Sequence, residues 1–193
     1  MELTAVNDRG EIEITIIDEM FSRAKHAEHS QDKKTQEAVK VYFGDNYDYA
    51  KSIYEEFKTH GHAEIERHFI DDNTFARINS ISIEVLKEYD KYKEKIEYEV
   101  NRLFGIKLSN KVKLVTILIQ KSKVLFGGSY LHDMGVITLG IPDDVDLEKE
   151  MPGIIDILIH EILHAAFDNS EIKNRLSPAQ KEALDRCFAP HGI

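Results

Sequence analysis

The sequence predicts an α+β fold, in which a mostly helical first half is followed by a small mixed sheet and two more helices. From about residue 35 to 104, the sequence is rich in Glu, Lys, Tyr and Ala and contains no proline, and its last part has apolar residues at intervals of three and four. The β-branched runs 112–119 and 136–141 have the length of strands. A strongly apolar stretch, 154–167, is long enough for a buried helix.

The first half contains one short predicted strand and one long predicted helix. Ile12, Ile14 and Ile16 alternate with polar residues, which predicts a strand before the helical stretch. The clearest helix runs from 81 to 104, and Gly105 is its predicted stop. Its apolar positions recur at threes and fours: Val85, Tyr89, Tyr92, Ile96, Val100 and Leu103 or Phe104.

The second half begins with strands and ends with helices. A short strand at 124–126 is predicted between the two β-branched runs, and the glycine-bearing segment 127–129 is predicted to be a turn. Pro152 suits the start of the apolar helix. Ser177 as N-cap and Pro178 at the first helical position open a last helix, which ends near residue 188.

These elements divide the chain into two predicted parts with a boundary near Gly105. Residues 1–105 form a mostly helical region to which the sequence assigns no function, and residues 106–193 form the α+β unit. No internal repeat or low-complexity linker is visible at the boundary.

Charge and composition exclude several classes of partner. The chain has 35 acidic and 25 basic residues and a formal net charge of −10, which disfavours nucleic acid and anionic membranes as partners. No apolar stretch approaches the roughly 20 residues of a membrane helix. The single cysteine, Cys187, excludes an internal disulfide and fits a reducing compartment. No secretory signal is visible, so we expect a cytoplasmic protein.

The motif that carries chemistry lies in the apolar helix. His160, Glu161 and His164 form the pattern HExxH. Residues four apart on a helix lie about 40° apart around its axis, so both imidazoles can reach one ion. Glu161 lies close enough to act as a general base on water that the metal activates. The pattern therefore predicts a zinc site with two histidine ligands and a catalytic glutamate.

Five-residue patterns of this kind also arise by chance, so the surroundings matter. Here the pattern lies inside a strongly apolar helix, where two histidines and a glutamate are costly to bury without a shared purpose. A predicted strand, 136–141, precedes the helix. This context favours a metal site over a structural coincidence.

The segment from about 112 to 193 resembles the zincin superfamily of HExxH metallopeptidases. The resemblance implies a core with an edge strand, the motif-bearing helix and a second helix that supplies the last ligand. It implies a Zn²⁺ cofactor and a peptide or protein substrate that pairs with the edge strand, here 136–141. The implied activity is hydrolysis of peptide bonds. One alternative is a non-catalytic or regulatory zincin-like module that binds a protein partner, and another is a hydrolase acting on a different substrate.

The third ligand is open among four residues. Glu182 on the last helix resembles the glutamate ligand of the thermolysin-like zincins (gluzincins), and it is the favoured choice. Asp168 and Glu171 would share the face of the two histidines if the motif helix ran further. His191 would make a three-histidine site similar to that of the SprT-like proteases. The longer histidine pattern of the metzincins is absent.

Other polar residues are weaker candidates for the active site. Tyr130 and His132 lie near the predicted edge strand and could polarise a carbonyl, although exposed polar groups in a turn are the better interpretation. His60, His62 and His68 match no compact ligand set, which predicts surface histidines. The sequence indicates neither the cleavage specificity nor the oligomeric state.

Overall fold

The computed structural model describes residues 3–30, 33–105, 113–119, 127–168 and 176–180. Its fold is α+β, as the sequence predicted. The sheet has four strands: β1 (Thr4–Ala5), β2 (Lys113–Ile119), β3 (Gly127–Leu131) and β4 (Val136–Pro142). Their order is β1-β2-β4-β3. The strand β2 is parallel to both β1 and β4, and β3 is antiparallel to β4, so the sheet is mixed.

Six helices surround this sheet in the described part of the chain. Five of them precede β2, and α6 follows β4 and contains HExxH. Their bounds are α1 (Arg9–Ser30), α2 (Lys33–Phe43), α3 (Tyr47–His60), α4 (Asp72–Asp90), α5 (Lys93–Phe104) and α6 (Leu147–Asp168). None of the described helices is both long and apolar enough to cross a membrane.

The predicted strand at Ile12–Ile16 is wrong, because these residues lie in α1. The prediction assumed that the polar residues between the isoleucines face solvent. In the structure Glu13 and Thr15 are fully buried, whereas Ile14 between them is only partly buried. The fully buried apolar positions then follow helical spacing: Ile12, Ile16, Ile17 and Met20.

The carboxylate of Glu13 shows how α1 tolerates a buried acid. It accepts hydrogen bonds of 2.8 Å from the backbone N–H groups of Phe69 and Ile70, and it lies 2.8 Å from Nδ1 of His68. These bonds replace the water that the carboxylate loses on burial. Glu13 therefore ties the loop before α4 to the core.

We expect Glu13→Ala to lower the free energy of unfolding by about 2–6 kcal/mol, because it leaves two backbone donors without their acceptor at a cost of about 1–3 kcal/mol each. Thermal and urea denaturation of the variant would measure the loss. Glu64→Ala, at an exposed position of the same loop, is the control and should change stability by less than about 0.5 kcal/mol. Equal losses in the two variants would contradict the assigned role of Glu13.

The helix predicted at 81–104 is two helices in the structure. The first, α4, begins earlier, with the Asp71 side chain accepting from the backbone N–H of Thr74 as an N-cap. The helix α4 ends at Asp90, and α5 starts at Lys93. Apolar spacing continues across the break, which is why the pattern suggested one helix. Gly105 ends α5 in the left-handed conformation (φ 64°), so the predicted stop is confirmed.

The strands at 112–119 and 136–141 are confirmed as β2 and β4, but the assignment of 136–141 to the edge of the sheet is wrong. Hydrogen-bonded neighbours flank β4 on both sides, and all six residues Val136–Ile141 are buried. The described edge beside α6 is β3, formed by the glycines predicted as a turn. A continuous apolar run is typical of an interior strand. The strand predicted at 124–126 lies outside the described residues.

Helices cover both faces of β4. One face carries α6, which also contacts β3 and α4. Successive residues of a strand face opposite sides, and Gly128 faces α6 whereas the Ser129 hydroxyl binds a side chain of α1. The opposite face is therefore covered by α1, and α2 and α3 pack against α1.

The HExxH helix begins earlier than predicted. It starts at Leu147, so Pro152 lies within its second turn and not at its first position. There the proline removes only one backbone hydrogen bond. At the last helix, Ser177 Oγ accepts from Gln180 N while Gln180 Oε1 accepts from Ser177 N, a reciprocal capping box. The predicted start of that helix is thus confirmed.

The hydrophobic core extends across the predicted boundary at Gly105. Ile16 of α1 and Val85 of α4 belong to the same buried cluster as Ile137 of β4 and Leu158 of α6. The strand β1 also pairs with β2. The N-terminal helices therefore help to build the framework that positions α6, and the division into two parts stays a prediction.

Candidate metal centre

The two histidines of HExxH converge on one point. Nε2 of His160 lies 3.0 Å from Nε2 of His164, and the ring centroids are 4.7 Å apart in an edge-to-face arrangement. Leu158, Ile162 and Ala165 bury the opposite side of α6 in the core. The helix thus holds both imidazoles by its packed face and leaves them partly accessible, His160 by 20%.

Glu161 lies beside this pair and is nearly enclosed. Its Oε1 is 4.0 Å from His160 Nε2, and its side chain is only 6% exposed. The backbone N–H of Tyr130 on β3 donates a hydrogen bond to the carboxylate. The glutamate is thereby directed towards the edge strand instead of the interior of the sheet.

The edge strand passes very close to Glu161 at Gly128. A methyl group at Gly128 would lie 2.7 Å from Glu161 Cγ, 2.7 Å from Ile157 Cγ2 and 3.0 Å from Glu161 Oε1. Real Cβ atoms do not approach neighbours so closely, so only glycine fits between β3 and α6 here. Gly128 therefore sets the separation between the strand and the general-base candidate.

Two charged residues of α1 lie at the same edge. Arg23 Nη2 is 3.3 Å from both the Gly128 carbonyl oxygen and Ser129 Oγ. Arg23 Nε forms an ion pair with Glu19 one turn earlier, and Ser129 Oγ donates to Glu19 Oε1 at 2.9 Å. Glu19 is buried, and these bonds satisfy its carboxylate.

The surroundings change the proton affinity of the motif. Burial raises the pKa of Glu161 to about 7, and the charge of Glu19 adds to the rise, while Arg23 and the Tyr130 N–H oppose it. Burial, and then the neighbouring His164, lower the pKa of His160. A neutral imidazole is the form that binds a metal, so this direction favours a ligand.

The other predicted site residues are elsewhere or are not described. Glu182, Glu171 and His191 lie outside the described residues, and so does the side chain of Asp168 at the end of α6. Cys187 also lies outside them. Within the described part of the chain, no group of three or more His, Cys, Asp or Glu side chains is arranged so that it could hold a metal ion.

The remaining candidates are surface residues or contribute through their backbone. His60, His62 and His68 are exposed, as predicted. His132 is exposed in the turn after β3. Tyr130 lies in β3 and not in a turn, and its backbone amide contacts Glu161.

Comparison of the chain with protein-family models, with curated proteins and with solved structures finds no match.

An apolar cavity of about 860 Å³ lies on another side of α6, against α4 and α5. Ile159 and Leu163 line it, whereas His160, Glu161 and His164 do not. The polar groups capable of chemistry lie at the β3 edge instead, and we place the candidate centre there.

Sequence reasoning missed four residues at this site: Glu19, Arg23, Gly128 and Ser129. The paired glycines at 127–128 carried a signal, since glycine in a strand often marks a close approach of backbone to a neighbour. Glu19 and Arg23 carried no signal in the sequence beyond the i, i+4 spacing of an ion pair on a helix.

Proposed function

We propose that the protein is a zinc-dependent metallopeptidase with a zincin-like core. The observation that carries the proposal is the 3.0 Å approach of the His160 and His164 Nε2 atoms, with Glu161 beside them and an edge strand alongside. Two ligands, a base and a strand edge are among the parts that hydrolysis of an extended peptide requires.

The donor set fits zinc. Two imidazole nitrogens that bind one Zn²⁺ at about 2.0–2.1 Å in tetrahedral geometry lie about 3.4 Å apart. The separation of 3.0 Å needs only a small adjustment of two side chains to reach that value. The same separation also fits a hydrogen bond between two neutral imidazoles, so zinc binding must be measured directly.

A third protein ligand completes a catalytic zinc site. Glu182 remains our first choice, followed by Glu171, Asp168 and His191. These residues follow the histidines in the sequence, and their side chains lie outside the described part of the chain.

In the proposed reaction, the metal, Glu161 and β3 have different roles. When bound between His160 and His164, zinc would act as a Lewis acid that polarises the scissile carbonyl and activates water. Glu161 takes a proton from the water at its carboxylate and delivers it to the leaving amine. The outer edge of β3 holds the substrate backbone in an extended conformation by strand pairing.

We expect His160→Ala to remove zinc from a protein that otherwise contains about one zinc per chain. Loss of residues that merely orient a ligand already weakens metal binding by about 10–100-fold, and loss of a ligand should exceed that. Elemental analysis after dialysis against a weak chelator measures the content. His132→Ala, at an exposed histidine outside the centre, is the control and should keep its zinc. Absence of zinc from the wild type after reconstitution at neutral pH would reject the proposal.

A further inference from the structure

The outer edge of β3 is partly occupied by the protein itself. The Ser129 carbonyl accepts from Thr138 Oγ1 at 3.4 Å and so points towards β4. Backbone groups of neighbouring strand residues point in opposite directions, so the carbonyl of Gly128 and the N–H of Tyr130 point away from β4, to the outer edge of β3. An added strand would pair with these outward groups.

A side chain of the protein already binds each of these two groups. The Tyr130 N–H donates to Glu161, and the Gly128 carbonyl accepts from Arg23 at 3.3 Å. Arg23 comes from α1, far away in sequence, and the buried Glu19 fixes its guanidinium through an ion pair. We call Glu19 and Arg23 the α1 latch.

We propose that the α1 latch competes with substrate for the edge of β3, so that an extended peptide binds only after Arg23 leaves the Gly128 carbonyl. The inference rests on the proposed metallopeptidase function and concerns the regulation of that same site. In the exchange, a backbone N–H of the peptide replaces the guanidinium as the donor to Gly128. The N-terminal helix thereby restrains cleavage until a peptide of sufficient length displaces the side chain.

The contacts are suited to such an exchange. The distance of 3.3 Å is longer than the common 2.9–3.0 Å of an N–H···O bond, and the Arg23 side chain is 26% exposed. Arg23 can therefore turn towards solvent while α1 stays packed in the core through Ile16, Ile17 and Met20. Glu19 keeps its bond from Ser129 when Arg23 moves.

The test compares two zinc-binding probes on the zinc-loaded protein. One is a peptide hydroxamate long enough to pair with β3, and the other is acetohydroxamate, which reaches only the metal. Glu19→Gln/Arg23→Met removes the latch without leaving a buried unpaired carboxylate. We expect this variant to bind the peptide hydroxamate about 10-fold tighter than the wild type, because the peptide no longer has to displace a charged hydrogen bond. Acetohydroxamate should bind to the variant and the wild type equally well. Titration calorimetry gives both constants.

Two further variants keep the test decisive. Arg23→Lys retains a cation beside Glu19 and should show the same direction with a smaller gain, so it serves if the double variant does not fold. Arg77→Met is the matched control, because its guanidinium binds Asp143 beyond β4, and both constants should stay unchanged.

The possible failures are distinct. Equal or weaker binding of the peptide hydroxamate by the latch variants, with acetohydroxamate binding retained, overturns the latch and leaves the proposed function standing. A wild-type protein that binds neither zinc nor either hydroxamate overturns the proposed function, and the latch is rejected with it.

Discussion

Glu161→Gln should lower peptide hydrolysis by about 10²–10⁴-fold while leaving zinc bound, because general base catalysis typically contributes that factor. The amide keeps the size of the carboxylate and can still accept the Tyr130 N–H bond, so the contact with β3 is retained. Only the capacity to take up a proton is lost. The measurement is kcat/KM on an extended peptide beside the zinc content of the same preparation.

The ratio of the two readouts separates a base from a structural residue. Glu19→Gln changes another buried carboxylate of the same neighbourhood, and it lies on α1 and not on the motif helix. Because Glu19 is part of the α1 latch, this change should not lower kcat/KM, in contrast to Glu161→Gln. Equal activity of Glu161→Gln and the wild type, at equal zinc content, would show that Glu161 is not the base.

Gly128→Ala should impair both stability and activity. The added methyl group meets Glu161 Cγ and Ile157 Cγ2 at 2.7 Å, and both atoms belong to side chains that α6 holds in place. Overpacking of this kind costs about 1–3 kcal/mol. Relief requires that β3 or Glu161 move, and a displacement of about 1 Å at a catalytic group can reduce the rate by about 100-fold. Zinc content should stay near the wild-type value, because the histidines are not displaced.

Gly153→Ala is the matched control for this prediction. Gly153 lies within α6, and nothing lies within 4 Å of a methyl group added there. Alanine in a helix interior is more favourable than glycine by about 0.5–1 kcal/mol, so this variant should be slightly more stable and fully active. Thermal denaturation and the peptide assay apply to both variants. A Gly128→Ala protein with wild-type stability and activity would contradict the close approach of β3 to Glu161.

The fold class was predictable because its signals are strong and local. Long apolar spacings indicated helices, and β-branched runs indicated strands. The errors arose where polar residues are buried. Around Glu13 and Thr15 an alternating pattern was taken for a strand, although tertiary bonds to the loop before α4 allow a helix there.

The motif itself was determined by the sequence alone. An i, i+4 pair of histidines lies on one face of a helix whatever surrounds it, since helix geometry is fixed by backbone hydrogen bonds. The structure places His160, Glu161 and His164 together as that geometry predicts. The apolar residues around them likewise ensured that α6 packs into the core.

Only the tertiary structure decided which strand borders the site and which distant residues reach it. Strand order depends on long-range pairing: the continuous apolar run of β4 favours an interior strand, but no local pattern shows which other strand then forms the edge. The burial of both faces of β4 places it inside the sheet and leaves β3 at the edge, with Gly128 against Glu161. Packing of α1 then brings Glu19 and Arg23 to that edge, more than 100 positions away in sequence from Gly128 and Ser129.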